Sequence, residues 1–266
     1  MTSTSSASRF ALLLVLAVSF VGSGRAEEPS AAATEGFNAY AARLEGRLAQ
    51  QHRTPGGFVA LPAGSQLRQG APIIERLNSA ADAELPGALL HHWRGTAFVP
   101  GAKAADFERL MKDFGAYPRV YAPQVLSARV LAQQGDRLQA AMRVRQKHVL
   151  TVVMDTTYDV SFGRLDALHS YSLSRSTRVT EIADAGAQKE RALSGSEQHG
   201  FLWRMNTYWS AEERDGGLYI QIESLTLTRG IPHGLGWVIG PFIESIPRES
   251  LEFTLRSTMA ALARHN

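Results

Sequence analysis

Residues 201–229, FLWRMNTYWSAEERDGGLYIQIESLTLTR, are the stretch that decides the fold of this chain. Alternating side chains on both sides of a central turn predict two strands, Phe201–Glu213 and Leu218–Arg229. The turn is Arg214-Asp215-Gly216-Gly217, and Asp-Gly and Gly-Gly pairs readily adopt the positive φ that a tight hairpin needs. The stretch is therefore predicted to form an antiparallel hairpin.

Toward the N-terminus, the same alternating pattern continues as far as Ala88. One short helix is predicted there, Lys103–Phe114, because its apolar residues recur at helical spacing. The remaining strands predicted in this region are Leu89–Val99, Val125–Gln133, Arg137–His148, Val149–Phe162 and Leu168–Ile182. Short turns link most of these strands, which predicts an antiparallel sheet of seven strands.

Toward the C-terminus, the chain closes with a helical region. Pro232–Ile243 is apolar and rich in glycine, and Pro247 is suited to the first turn of a helix. The apolar stripe that follows consists of Leu251, Leu255, Met259 and Leu262. A curved sheet covered by one long helix leaves a hollow, and such hollows hold small molecules. The predicted fold class is α+β.

Residues 27–87 are predicted to form an N-terminal extension that packs on the main domain, residues 88–266. Glu35–His52 has the spacing of a helix and ends at a Pro-Gly-Gly sequence. Phe58–Pro86 contains several prolines and is predicted to be irregular. The extension has too few apolar residues for a core of its own.

Residues 1–26 have the order of a secretory signal peptide. A polar start ends in Arg9, Phe10–Val21 is apolar, and small residues lead to Ala26. The apolar run is short for an uncleaved anchor, because a membrane span needs ~20 apolar residues. We expect cleavage near Ala26 and export, with a mature protein that is periplasmic or secreted.

Charge and cysteine content exclude several classes of function. Removal of Arg9 and Arg25 with the signal lowers the formal net charge from +3 to +1. Nucleic-acid binding needs a concentrated basic face, so no nucleic-acid partner is expected. The chain has no cysteine, which excludes disulfides, thiol nucleophiles and thiolate metal sites.

The order strand, helix, six strands and long C-terminal helix resembles the START-like, or helix-grip, superfamily, which includes polyketide cyclases, aromatase/cyclases, lipid-transfer domains and pollen allergens. More narrowly, the chain resembles exported bacterial members. The matching stretches are HHWRGTAFVPG (91–101), YDVSFGRLDA (158–167), HGFLWRMNTYWSAEERDGG (199–217) and IPHGLGWVIGPFIESIPRESLEFTLRST (231–258). The resemblance covers about Ala88–Leu262. It implies a curved antiparallel sheet wrapped on the C-terminal helix, with a cavity for a hydrophobic or amphipathic ligand. No catalytic residues can be assigned from the resemblance, since members of the superfamily share a ligand cavity but not a reaction mechanism.

Candidate ligand-binding residues come from the hairpin and its neighbours. Arg204, Asn206 and Tyr208 share one side of their strand and would place hydrogen-bond donors in the hollow if that side faces inward. Glu223 is an ionic partner candidate for Arg204, and Tyr158 is a further cavity candidate. The alternative is that these groups pair with one another, or face solvent, and bind no ligand.

Local motifs for metal or nucleophilic chemistry are weak. His91 and His92 are adjacent on a predicted strand and point to opposite faces, so we expect no metal site. No Gly-x-Ser-x-Gly elbow occurs. The glycines at 234, 236 and 240 lack the lysine and preceding strand of a phosphate loop. No cofactor is expected.

Two segments are candidates for contact with larger partners. Arg137, Arg143, Arg145 and Lys147 alternate along one strand, which is typical of a solvated sheet face; the alternative is contact with anionic lipid head groups or cell-wall polymer. Leu235–Ile243 is a candidate for transient membrane contact, and core packing is the alternative. Trp237 in this segment is also a cavity candidate.

These observations favour an exported protein that binds or carries a hydrophobic small molecule such as a lipid, an isoprenoid or a polyketide-like compound. One alternative is a cyclase or isomerase that uses Tyr158, Tyr208 or Glu223 as general acid or base. Another is a structural module whose hollow is filled by side chains.

Overall fold

The computed structural model describes residues 28–62, 67–147, 151–230 and 236–264, without the side chains of residues 80–81 and 236–244. The predicted signal peptide lies outside the described residues. The side chains of Trp237 and of the candidate membrane segment Leu235–Ile243 also lie outside them. Export and membrane contact therefore stay predictions.

The chain forms a mixture of helices and strands. The helices are α1 Ala31–Gln51, α2 Ala80–Ala83, α3 Ala104–Lys112, α4 Tyr117–Val120 and α5 Gly236–Ala263, with 3-10 turns at Leu67–Gln69, Phe114–Ala116 and Gly195–Glu197. The strands are β1 Ile73–Arg76, β2 Glu84–Leu85, β3 Ala88–Pro100, β4 Val125–Gln134, β5 Arg137–Lys147, β6 Thr151–Arg164, β7 His169–Ala183, β8 Arg191–Ala192, β9 Arg204–Arg214 and β10 Gly217–Arg229.

All ten strands belong to one antiparallel sheet. Its order is β1-β3-β10-β9-β7-β6-β5-β4, with β2 paired to β3 and β8 paired to β7. The predicted hairpin is confirmed, since β9 and β10 pair directly and Asp215 and Gly216 have φ of 56° and 75° in the turn. The seven predicted strands form the main sheet, and β1, β2 and β8 are short additions.

The sheet curves around α5. A Cβ atom on Gly95 of β3 would lie 2.7 Å from Leu251 Cδ2 of the helix. On the same turn of α5, Ser250 Oγ accepts a hydrogen bond of 2.9 Å from Gln146 Nε2 of β5. Five steps separate these strands, ~24 Å in a flat sheet at ~4.8 Å a step. A helix is only about 10–12 Å across with its side chains, so one turn reaches both strands because the sheet bends.

Each face of the sheet carries its own apolar cluster. The face toward α5, called the inner face, packs Trp209, Ile222 and Ala97 against Leu251 and Leu255. The opposite, outer face is covered by α1, whose buried side chains Phe37, Ala41, Leu44 and Leu48 contact Leu90, Tyr208, Leu225 and Leu227. The central strands are therefore covered on both sides.

The structure differs from the sequence-based expectation in two elements. Helix α5 begins at Gly236 and runs through Pro241 and Pro247, whereas the pattern placed its first turn at Pro247. Helices in proteins draw most of their stability from tertiary packing, so contacts with the sheet can override proline propensity. The stretch expected to be irregular contains β1 and β2, both paired to β3. Strands this short show no alternation that a sequence pattern could reveal.

Candidate functional site

A band of polar side chains crosses the inner face in two adjacent rows. Strand register places Trp93, Ser224, Thr207 and Ser174 side by side in the first row. The second row contains His91, Thr226 and Met205, and it continues to Ser176, whose Oγ accepts a hydrogen bond of 2.8 Å from the Met205 amide. These eight residues are called the polar band. They share a face with Trp209 and Ile222, which pack toward α5, because alternate residues of a strand lie on the same face.

A packed apolar core bounds the polar band at one end. The next row toward the hairpin turn holds Gly95, Ile222 and Trp209, and it packs against α5. At the other end, β10 finishes at Arg229 and α5 begins at Gly236. The polar band thus has a packed apolar row at one end and the last residues of β10 at the other.

Among the described residues, four buried polar atoms on the inner face have no hydrogen-bond partner. They are Trp93 Nε1, Thr226 Oγ1, Gln146 Oε1 and Ser170 Oγ. Leaving a buried donor or acceptor unsatisfied costs about 1–3 kcal/mol, so native structures rarely tolerate several together. Two of the four, on Trp93 and Thr226, belong to the polar band. A bound molecule with its own polar atoms would satisfy them.

The polar band carries little charge. His91 is its one ionisable residue; the side chain is buried, and Nε2 lies 3.4 Å from Thr228 Oγ1. Glu181, also on the inner face, is occupied: its carboxylate accepts hydrogen bonds from the amides of residues 199–201 and contacts His199 Nδ1 at 2.7 Å. The band therefore suits an uncharged polar group, such as a hydroxyl or carbonyl, on an otherwise apolar molecule.

Arg204, Asn206, Tyr208 and Glu223 lie on the outer face and not in the hollow. The expectation that they line the cavity is corrected by strand parity, since Thr207 and Trp209 of β9 face α5. Asn206 Nδ2 donates to the Tyr208 hydroxyl at 3.0 Å, and that hydroxyl donates to Glu45 Oε1 of α1 at 3.0 Å. Burial raises the pKa of Tyr208, with hydrogen bonding to Glu45 adding to the effect.

Glu223 is the centre of a buried network that joins α1 to the sheet. Its Oε2 contacts His92 Nε2 at 2.8 Å and Arg47 Nη2 at 2.5 Å, and its side chain is 1% exposed. Tyr40 of α1 contacts His92 Nδ1 at 3.0 Å. Burial raises the pKa of Glu223, but the hydrogen bond from His92 and the charge of Arg47 outweigh it and hold the pKa below its usual value. The carboxylate is therefore ionised at neutral pH.

The expected pair between Arg204 and Glu223 does not form. Arg204 Nη1 donates instead to the Trp203 carbonyl at 3.1 Å, and α1, whose packing position the sequence did not reveal, supplies Arg47 to Glu223. Tyr158 does lie on the inner face, in the cluster of Phe114, Leu138, Ala140 and Val160. Burial raises its pKa, so it is protonated at neutral pH.

The polar band was missed because sequence reasoning chose the strand side with the larger polar groups. A signal was nevertheless present in HSYSLSRS, residues 169–176, where four serines alternate. In β10, SLTLT at 224–228 places polar and apolar residues on opposite faces. Small hydroxyl side chains repeated at every second residue of buried strands indicate a polar surface inside the fold.

The described part of the chain lacks two further kinds of site. It contains no group of three or more His, Asp, Glu or Cys side chains placed to hold a metal ion. No helix within it is long and apolar enough to cross a membrane.

Comparison with known proteins gives similarities of structure only. No protein-family model and no curated protein matches the chain. Among solved structures, the protein TTHA0849 from Thermus thermophilus is 16% identical, with a TM-score of 0.47, covering 65% of this chain and 97% of that one. A START superfamily protein from Mycobacterium smegmatis is 15% identical, with a TM-score of 0.44, covering 66% and 99%. The STAR-related lipid transfer protein from Xanthomonas axonopodis is 15% identical, with a TM-score of 0.40, covering 72% and 97%.

The fold itself is defined by the chain's own topology. The first long strand, β3, pairs with the last, β10, and the remaining long strands follow in the order β9, β7, β6, β5 and β4. Leu251 and Leu255 of α5 pack against the inner face of this curved sheet. The chain therefore has the START-like, helix-grip fold.

Proposed function

We propose that this protein binds a small amphipathic molecule between the inner face of the sheet and α5. The single observation that carries the proposal is a pair of buried polar atoms in adjacent rows of the polar band, Trp93 Nε1 and Thr226 Oγ1, which have no partner in the part of the chain that the structure describes. An indole N–H donates only, whereas a hydroxyl both donates and accepts. A ligand hydroxyl or carbonyl is matched to this pair.

The apolar part of the ligand supplies the driving force for binding. Removal of apolar surface from water contributes roughly 25 cal/mol per Å², before the costs of association. The polar band adds orientation, because a ligand that leaves buried donors unpaired is penalised. Lipids, isoprenoids and polyketide-like compounds that carry a hydroxyl or carbonyl group meet both requirements.

Binding is favoured over general acid–base catalysis by the three residues considered for that role. Glu223 lies on the outer face and is held ionised by its partners. Tyr208 is also on that face, and burial raises the pKa of both Tyr208 and Tyr158. None of the three is a group with a pKa near neutrality facing the polar band, which is what efficient proton transfer requires.

We further propose that the ligand is bound outside the cytoplasm, with transient membrane contact through Leu235–Ile243 during ligand exchange. The support is sequence alone: the signal-like order of residues 1–26 and the apolar, glycine-rich character of this segment. Residues 236–243 of this segment form the first turns of α5, and β10 ends shortly before them at Arg229.

Native mass spectrometry of the mature protein, followed by denaturing extraction, tests the binding proposal. We expect a stoichiometric apolar adduct that carries a hydroxyl or carbonyl group. Thr207→Leu, in the centre of the polar band, should reduce adduct occupancy at least tenfold because it fills the band and removes a hydroxyl.

The matched control is Thr157→Leu, since Thr157 is also half-buried on a central strand but lies on the outer face. This variant should retain the adduct. A clean apo mass for the wild type, with no uptake from a mixture of lipids and polyketides, would contradict the proposal, and so would equal loss in both variants.

A further inference from the structure

The outer face carries a concave site, remote from the polar band. This outer groove lies over β4, β5, β6 and β7 and has a volume of about 1140 Å³. Its basic lining residues are Arg129, Arg143, Arg145 and Arg178, and its hydroxyl lining includes Thr151, Thr157 and Thr180. We propose that the outer groove binds an acidic oligosaccharide.

Three of the arginines are available to a ligand. Arg145 Nη2 donates to the Pro123 carbonyl at 3.2 Å, and Arg178 Nε donates to Thr180 Oγ1 at 3.1 Å, so neither engages a carboxylate. Arg129 is exposed on β4, and among the described residues none of these three forms an ion pair. A guanidinium matches carboxylate and phosphate in bidentate geometry, which makes each of them an anion-binding group.

Two acidic residues of the groove share one arginine. Arg143 donates to both oxygens of Asp155, at 2.7 and 2.8 Å, and to Glu190 at 2.6 Å. Glu190 also accepts a hydrogen bond from the Gly186 amide. Asp184 is the remaining carboxylate of the lining, so four guanidiniums face three carboxylates and the lining has a net charge of +1. The available charge is positive.

One wall of the groove is formed by a hairpin that is fixed by strand pairing and by an ion pair. The hairpin that joins β7 to β8 pairs Ile182 with Ala192 and forms this side. The contact between Glu190 of that hairpin and Arg143 of β5 spans the groove floor. Asp184 has a φ of 50°, a left-handed conformation that aspartate tolerates better than most residues. The surface is therefore a walled cleft and not an open sheet face.

The spacing of the arginines indicates an extended ligand. Arg129, Ala141, Thr157 and Arg178 form one row across four strands, which separates the two arginine backbones by ~14 Å. Arg145 is four residues along β5 from that row, again ~14 Å. A single small anion cannot occupy all three positions, whereas a chain of hydroxylated units with repeated carboxylates can. The threonine hydroxyls between the arginines suit the sugar hydroxyls of such a chain.

Isothermal titration calorimetry with tetragalacturonate tests the proposal, with maltotetraose as the neutral probe and tripolyphosphate as the compact anion. We expect tetragalacturonate to bind with an affinity that falls steeply as salt rises, and the other two probes to bind at least tenfold more weakly. Arg129→Gln/Arg178→Gln should weaken tetragalacturonate at least tenfold. These side chains form no ion pairs, so the variant should fold normally, as circular dichroism can show.

The control is Arg109→Gln/Arg137→Gln, which changes the net charge equally at exposed positions outside the groove. It should bind tetragalacturonate within twofold of the wild type. Thr207→Leu should also bind it normally, because the polar band lies on the other face. No binding by the wild type, equal binding of maltotetraose or tripolyphosphate, or equal loss in the control would overturn the proposal.

Discussion

Glu223 shows how one buried charge is made compatible with a sheet covered on both faces. Its carboxylate is 1% exposed, and it is stabilised by His92 from the neighbouring strand and Arg47 from α1. A buried ion costs several kcal/mol to desolvate, and only close partners offset that cost. The partners come from segments 131 and 176 residues away in sequence, so folding of α1 and of the sheet are coupled at this residue.

Removal of one partner tests this coupling. His92→Leu leaves the Glu223 carboxylate buried with Arg47 alone, and we expect a loss of about 3 kcal/mol in the free energy of unfolding. His92→Leu/Glu223→Leu removes the stranded charge as well, so its loss should be smaller than the sum of the two single losses. Urea unfolding measures all three. Strict additivity would contradict the network.

His52 predicts a pH dependence of stability. The ring stacks on Tyr171 with centroids 4.4 Å apart, and Nε2 lies 2.7 Å from Ser210 Oγ. Burial, assisted by the charge of Arg47, lowers its pKa to about 4. The unfolded pKa is about 6.5, so the unfolded state binds more protons between these values and stability falls as pH decreases from about 6.5 toward 4.

At pH 5 the loss from His52 should be about 2 kcal/mol relative to pH 7.5. We expect His52→Gln, which cannot titrate, to show a correspondingly smaller difference between the two pH values. Its absolute stability at pH 7.5 should be lower, because the ring stacking is lost. The same pH dependence in variant and wild type would show that another group is responsible.

At the scale of elements, the contact between α5 and β3 depends on the absence of a side chain. A Cβ on Gly95 would approach Leu251 Cδ2 to 2.7 Å, Leu255 Cδ2 to 2.9 Å and Ile74 Cδ1 to 3.1 Å. These three atoms come from the helix on one side and from β1 on the other. Gly95 thus sets how closely the helix and the short edge strand approach the centre of the sheet.

Gly95→Val should therefore push α5 away from the sheet. Overpacking of this kind costs about 1–3 kcal/mol, measurable as a lower midpoint of urea unfolding. The control is Gly46→Ala in α1, where a Cβ meets nothing within 4 Å. Because alanine favours helix, that variant should gain roughly 0.5–1 kcal/mol. An unchanged midpoint for Gly95→Val would mean that the helix is not closely packed there.

At the scale of the molecule, the sequence predicted the fold better than it predicted which residues line the hollow. The Asp215-Gly216 turn and the alternation on either side predicted the hairpin, and the short turns predicted an antiparallel sheet, whereas the pairing of β3 with β10 was not predicted. The inner face could not be deduced, because Tyr208 and Trp209 are both large and both buried. Their sides are decided by where α1 and α5 pack, which depends on contacts between residues far apart in sequence.

The same reason explains the error over Glu223 and Arg204. Their positions on the two strands of the predicted hairpin made them candidate partners, whereas the partner of Glu223 is Arg47, in a helix whose packing position the sequence pattern did not reveal. The small hydroxyls of the polar band alternate strictly along β7 and β10, and this pattern is visible in the sequence. In a sheet covered on both faces, repeated serine and threonine on buried strands indicate the face of the hollow better than large polar side chains do.

The central claim is that a ligand's polar group engages the polar band, and the indole N–H of Trp93 reports on it most directly. In ¹H–¹⁵N spectra, addition of oleyl alcohol as an uncharged amphipathic probe should shift the Trp93 indole signal strongly and saturably, because Nε1 is buried without a partner among the described residues. The internal control is Trp203, which packs with the outer-face cluster under α1 and should stay in place. A saturable shift of Trp93 alone is the predicted result; an unmoved Trp93, or equal shifts of both signals, would contradict the account.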